Sequence, residues 1–189
     1  LALWVFFAAC VLAKRDPDAY AENRRYFHRQ HLSDFTNQNA TFYVLTRDYK
    51  TNTSHRCLSA TKVKDEGSGH YWYKLGAKFQ GNWIYYNTSV KAVTTGSHRS
   101  PNAAHYQEDP AEGPKNHRIM TKNLNSTCFV VTVPVEGKHG CFILVREDQV
   151  NKRLPWYCDK VYKEECGETS VTLYTEQECK GEPLRASHC

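Results

Sequence analysis

Two stretches, HGCFILVRED (His139–Asp148) and TCFVVTVPV (Thr127–Val135), decide how this chain is read. Each is short, rich in β-branched and aromatic residues, and close to turn-forming residues, so each predicts a β-strand. Successive side chains of a strand point to opposite sides. A strand with one wet face therefore alternates apolar and polar residues. These two do not alternate. Both are apolar on both faces, and each has a cysteine at its start, so one face must look into a core and something else must hide the other.

Upstream the same two-residue period recurs. Candidate strands are Thr41–Tyr49, Arg56–Lys64, His70–Phe79, Trp83–Val93, His105–Glu108, His117–Lys122, Cys128–Val135 and Cys141–Arg146. The segments DEGSG, QGN, TTGSHRSPN, EGPKN and EGKHG supply turn chemistry between most of them. Before the strands, DPDAYAENRRYFHRQH (Asp16–His31) predicts a helix, with Asp16 as its N-cap and Pro17 at the first helical position. After them, PWYCDKVYKEEC (Pro155–Cys166) predicts a second helix, stopped by Gly167. Eight short strands in hairpin succession predict an all-β fold. The architecture is an eight-stranded up-and-down antiparallel barrel around one small-ligand cavity, with an N-terminal and a C-terminal helix packed outside.

The chain begins LALWVFFAACVLA, without a charge and about as long as a signal-peptide apolar region, and it ends in a Val-x-Ala pattern. Residues 1–13 are therefore read as a signal peptide whose basic n-region is missing. Residues 14–189 follow as a single secreted domain. No other apolar run approaches the roughly 20 residues of a membrane span. Of the eight cysteines, Cys10 leaves with the signal, and Cys57, Cys128, Cys141, Cys158, Cys166, Cys179 and Cys189 remain. Secretion and the absence of any C-x-x-C pair favour disulfides over a metal site. Sequons at Asn39, Asn52, Asn87 and Asn125 agree with an extracellular glycoprotein, with roughly half expected to be occupied. The net charge of +5 forms no basic stripe, which argues against a nucleic-acid partner. No nucleophile elbow, zinc-protease motif or phosphate loop is present. The nine histidines are scattered and read as solvated, as do the carboxylates of KDEG and REDQ. The expectation is a binding cavity without catalysis, metal or cofactor.

Five segments carry a resemblance: YVLTRDYK…RC in the first hairpin, SVKAV in the fourth strand, Cys128 on the seventh, GCFILV on the eighth, and CDKVYKEECGETSVTLYTEQEC. Together they resemble the tick salivary lipocalins, the family that includes the histamine-binding proteins, over nearly all of the mature chain. Cys158 followed 21 residues later by Cys179 is the most specific feature. The general lipocalin Gly-x-Trp signature is absent from the first strand. The resemblance implies a lipocalin barrel secreted in saliva, with disulfides Cys57–Cys179 and Cys128–Cys158. A third bond follows from geometry. If Phe129 and Phe142 face the cavity, Cys128, Val130, Cys141, Ile143 and Val145 face outward and need cover. Cys158 and Cys166 lie about 80° apart around a helix, so both can face the barrel. Cys141–Cys166 then joins the same helix to the neighbouring strand, while another pairing such as Cys166–Cys179 stays open. Cys189 is left as a free thiol, a link in a dimer, or a substitute for Cys179.

The resemblance also bears on the ligand. Amine-binding members carry acids just after the seventh-strand cysteine, in the eighth strand, shortly after the first-strand tyrosine and before the fourth-strand V-x-A-V. This chain has Phe129, Phe142, Asn52 and Thr88 there. Two rings in place of two charges predict an apolar wall suited to a sterol or fatty acid. The other expected cavity residues are Tyr43, Leu45, Trp72, Lys74, Trp83, Tyr85, Val131 and Leu144. Three functions follow as expectations: an apolar-ligand carrier, a biogenic-amine scavenger, or an immunomodulator whose surface engages host immune cells. The similarity is greatest to the japanin-like immunomodulatory branch, which holds a sterol.

Overall fold

The structure, a computed structural model, describes residues 15–180. The expected signal peptide, Cys10 and Cys189 lie outside the described residues. Eight strands follow in chain order: β1 (Thr41–Arg47), β2 (Arg56–Gly67), β3 (His70–Phe79), β4 (Asn82–Val93), β5 (Ala103–Tyr106), β6 (Lys115–Lys122), β7 (Cys128–Val135) and β8 (Lys138–Arg146). Each pairs antiparallel with the next, and β1 closes the ring by pairing with β8 on one side and β2 on the other. Closure removes the sheet edges. Where β1 diverges from β2, a short strand β9 (Val171–Thr172) takes over: Thr41–Tyr43 pair with β2, and Thr46 and Arg47 with β9. The turns behave as their residues require. Gln80-Gly81 and Glu136-Gly137 both hold positive φ at two successive positions, the mirror-image turn that matches strand twist.

The N-terminal segment departs from the expected single helix. Asp16 does cap it, accepting from the Ala19 N–H at 3.0 Å, but helix α1 covers only Pro17–Ala21. Asn23 then accepts the Arg25 N–H at 3.1 Å and starts a separate 3₁₀ turn, Arg24–Arg29, before helix α2 (Ser33–Thr36). An asparagine side chain competing for nearby backbone is the usual cause of such a break. The break lets α1 pack outside on β6 and β8, while α2 turns Phe35 into one end of the barrel. From α2, the Phe35 ring lies 4.8 Å from Phe42, 5.7 Å from Tyr73 and 5.6 Å from Phe129.

The C-terminal helix, α3 (Trp156–Glu165), has Pro155 as its N-cap. Gly167 follows it without adopting the left-handed conformation expected of a glycine stop. Instead the Asp48 carboxylate accepts the Gly167 N–H through one oxygen and the Cys141 N–H through the other. Helix α4 (Glu176–Cys179) ends the described chain.

Two cores result, and they resolve the doubled apolar pattern of β7 and β8. Phe129, Val131, Val133 and Phe142 pack inside the barrel. Cys128, Val130, Cys141, Ile143 and Val145 pack outside, under Cys158, Val161, Tyr162 and Cys166 of the α3 segment. Three disulfides fasten this outer layer: Cys57–Cys179, Cys128–Cys158 and Cys141–Cys166. Their separations of 122, 30 and 25 residues correspond to about 4.9, 3.6 and 3.5 kcal/mol on the chain-entropy scale. Among the described residues no helix is long and apolar enough to cross a membrane.

Candidate ligand cavity

The barrel encloses a cavity of about 580 Å³, within the usual range for small-molecule sites. Its floor is α2, through Leu32 and Phe35, and its lower wall is Val44, Phe129, Val131, Phe142 and Leu144. The mouth is polar: Lys50–Thr53 and His55 after β1, Glu108–Glu112 between β5 and β6 with Lys115 at the start of β6, and Glu136 in the β7–β8 turn. Apolar depth beneath a polar rim suits an amphiphile.

Arg47 reaches this cavity because β1 is irregular. Phe42 and Val44 face inward, but the register slips between Val44↔Leu144 and Thr46↔Ile143. Leu45 is the extra residue of a bulge, and it leaves Arg47 opposite Phe142 on the inner face. The side chain is 6% exposed, and its Nη2 donates to Thr51 Oγ1 at 2.7 Å.

Glu108 faces it across the mouth. Protein surrounds the group, yet 39% of its side chain is accessible, because it opens onto the cavity itself. Burial works to raise its pKa. The hydrogen bond and charge of His117, with the charges of Arg47 and Lys115, outweigh that and hold the carboxyl below its ordinary value. His117 Nε2 lies 3.5 Å from Glu108 Oε2, and its ring stacks on Tyr106 at 4.0 Å. Burial, reinforced by the Glu108 charge, pushes the phenols of Tyr49, Tyr86 and Tyr106 well up, so all three stay neutral donors. The buried hydroxyls of Tyr73 and Tyr86 have no hydrogen-bond partner.

The sequence pattern of the tick histamine binding protein family matches residues 20–181. The chain belongs to that family. No curated protein sequence matches it significantly. Among solved structures, this tick histamine-binding family member is similar to japanin from Rhipicephalus appendiculatus bound to cholesterol. The identity is 13% over 71% of this chain and 91% of that one, with a TM-score of 0.52. It is similar to the AM182 serotonin complex at 13% identity over 93% and 100%, TM-score 0.59. Insecticyanin from the tobacco hornworm Manduca sexta matches at 9% identity over 80% and 86%, TM-score 0.56. At such identities the likeness is one of fold, the lipocalin barrel.

In this tick histamine-binding family member the expected cavity residues divide. Phe129, Phe142, Val131 and Leu144 line the cavity, with Phe129 and Phe142 at 0% and 4% exposure. Asn52 lies at the mouth. Thr88 stands on the inward side of β4, but its hydroxyl donates to Gln107 O at 3.2 Å and it does not line the space. Tyr43, Leu45, Trp72, Lys74, Trp83 and Tyr85 do not line the cavity. Tyr43 packs 4.9 Å from Tyr174 in the outer core, which Leu45 and Trp83 also join. Trp83 and Tyr85 stack at 5.9 Å on the outside of β4, with Lys74 over Tyr85 and Lys78 over Trp83. Trp72 is 36% exposed. The inward rank is one residue over: Tyr73, Leu75 and Ala77 on β3, Ile84, Tyr86 and Val90 on β4.

Two further expectations need correction. The histidines are not uniformly solvated: the side chains of His98 and His117 are both 3% exposed and engage Glu22 and Glu108. Nor is the cavity free of acid, since Glu108 lines it. Arg47 stands within the YVLTRDYK segment, which assigned it no role, and no motif marked Glu108. All four sequon asparagines, Asn39, Asn52, Asn87 and Asn125, are exposed.

Proposed function

We propose that the chain is a tick salivary protein, secreted after removal of residues 1–13, that holds an apolar or amphiphilic small molecule, sterol- or fatty-acid-like, in its barrel. By doing so it modulates host immune or inflammatory responses at the bite. The observation that carries this is the cavity's lower half, where Phe35, Val44, Phe129, Val131, Phe142 and Leu144 form a continuous apolar wall. A ligand burying ~300 Å² of apolar surface there gains about 7 kcal/mol before ordering costs. The similarity to japanin, solved with cholesterol, supports the same class. Extraction of the secreted protein and mass spectrometry of what co-elutes tests it; only polar material, or no retained molecule and no uptake of added sterol or fatty acid, removes it.

A second reading has two observations in its favour. Glu108 is a cavity carboxylate, and the serotonin-bound AM182 structure is similar over nearly the whole chain. A protonated amine needs a carboxylate whose charge is available. Here His117, Arg47 and Lys115 already act on Glu108, so an incoming cation meets positive charge beside its acid. Negligible affinity for histamine and serotonin is expected by calorimetry, and submicromolar binding of either would make the protein an amine scavenger. A surface-mediated action on immune cells predicts that delipidated protein still binds those cells. Glycans at roughly half of the four exposed sequons, and a monomer or a Cys189-linked dimer, belong to the same proposal, and glycopeptide mapping with a non-reducing gel tests them.

A further inference from the structure

We infer that the ligand bears a single anionic head of the carboxylate or sulfate kind, and that Arg47 receives it; this rests on the proposal that the barrel holds an apolar-bodied molecule. A guanidinium removed from water is costly unless it is paired, and arginine is almost never buried without a partner. Arg47 is 6% exposed, placed inside by the Leu45 bulge rather than by regular alternation. Tyr49 lies 5.3 Å from the guanidinium carbon and helps fix its plane. Its hydrogen bond goes to a neutral hydroxyl, that of Thr51, and its Nε is buried without a hydrogen-bond partner. Among the described residues Arg47 forms no ion pair; Glu108 accepts its hydrogen bond from His117. Holding the mouth loop through Thr51 accounts for Nη2 and leaves Nε unexplained.

The fork of a guanidinium matches two oxygens of one carboxylate or sulfate side by side, which satisfies charge and N–H groups together. Glu108 is the counterweight, because it repels an anion and its charge acts on Arg47; the His117 hydrogen bond at 3.5 Å and the charge of Lys115, itself paired with Glu112, offset it in part. From Arg47 the wall continues through Phe142 and Leu144 to Phe129 and Phe35. The site therefore offers one cationic anchor near the mouth and an apolar bed beneath it.

Matched probes isolate the head from the body: oleate against oleyl alcohol, and cholesterol sulfate against cholesterol, titrated into delipidated full-length protein. The charged member of the better-fitting pair is expected to bind on the order of 10- to 100-fold more tightly than its neutral twin. The pair that binds identifies the body. Arg47→Gln should abolish that preference while changing the neutral probe's affinity by less than about twofold, and Arg47→Lys should keep part of it. Equal affinity for charged and neutral probes in the wild-type protein overturns the assignment without recourse to any variant. So does a preference that survives in folded Arg47→Gln, and in both cases the cavity proposal stands. Failure of all four probes to bind overturns the cavity proposal itself.

Discussion

Replacing both Cys141 and Cys166 with alanine tests how the outer layer is held. The bond closes a separation of 25 residues, worth about 3.5 kcal/mol on the chain-entropy scale. Both sulfurs are fully buried in the outer core, so truncation leaves a small void and adds about 1 kcal/mol. A chain of this size loses about 2–4 °C of melting midpoint per kcal/mol, so a drop of about 9–18 °C is expected in non-reducing thermal melts of ligand-free protein. The cavity should hardly notice. Phe142 and Leu144 point inward from β8 while Cys141 and Ile143 point outward, and Asp48 still accepts the backbone N–H of residue 141. Ligand affinity measured well below the midpoint should stay within about twofold. An unchanged midpoint would show that packing and the remaining Cys128–Cys158 bond suffice to hold α3. Lost binding in a variant that remains folded would show that α3 shapes the cavity, contrary to the two-layer arrangement.

Asp48→Ala removes the acceptor shared by Cys141 and Gly167; a loss of about 3–6 kcal/mol is expected from urea unfolding, since charged hydrogen bonds are worth about 1.5–3 kcal/mol each. Phe129→Ala, at a 0% exposed position touching Phe35 and Phe42, should cost about 3–5 kcal/mol by the same assay and weaken apolar ligands as well. The raised phenols of Tyr49, Tyr73, Tyr86 and Tyr106 set the alkaline limit. A pKa higher in the folded state than the unfolded value near 10.0 gives stability fully present below that value and lost as pH rises towards the folded one. Near-ultraviolet titration should show these tyrosines ionising only with unfolding, and a smooth ionisation of all twelve near pH 10 in folded protein would contradict their burial.

Much of the barrel was legible because period-two patterning and turn residues agree. His70–Phe79 and Cys128–Val135 have the expected bounds, and the QGN and EGKHG segments turn where their glycines allow. The need for cover on β7 and β8 could be read from apolar residues on both faces. The N-terminal helix was over-extended because Asn23 looks tolerable in a helix until its side chain captures the Arg25 N–H. The inner ranks of β3 and β4 were misplaced because the largest aromatics were sent inward. A better signal lay in the charges: Lys74 and Lys78 alternate with Tyr73, Leu75 and Ala77, while Asn87, Ser89 and Lys91 alternate with Tyr86 and Val90. The lysines mark the outside, and tryptophans on their side go with them.

The missed polar residues of the cavity share one physical cause. On β1 both faces are apolar, Phe42 and Val44 inside and Tyr43 and Leu45 against the outer core. Alternation therefore has no polar residue to fix its phase, and one extra residue at Leu45 leaves no trace in composition. Its effect appears only at Arg47, which the inverted phase carries into the barrel. Glu108 enters by a similar break: β5 ends at Tyr106, earlier than the pattern suggested, and the chain then turns over the mouth. Charge enters a barrel where the strand is irregular, at a bulge or an early end, and bulges re-aim side chains at such sites. In this chain the apolar bed is set by regular strand geometry, and the charged groups Arg47 and Glu108 reach the cavity at its two interruptions.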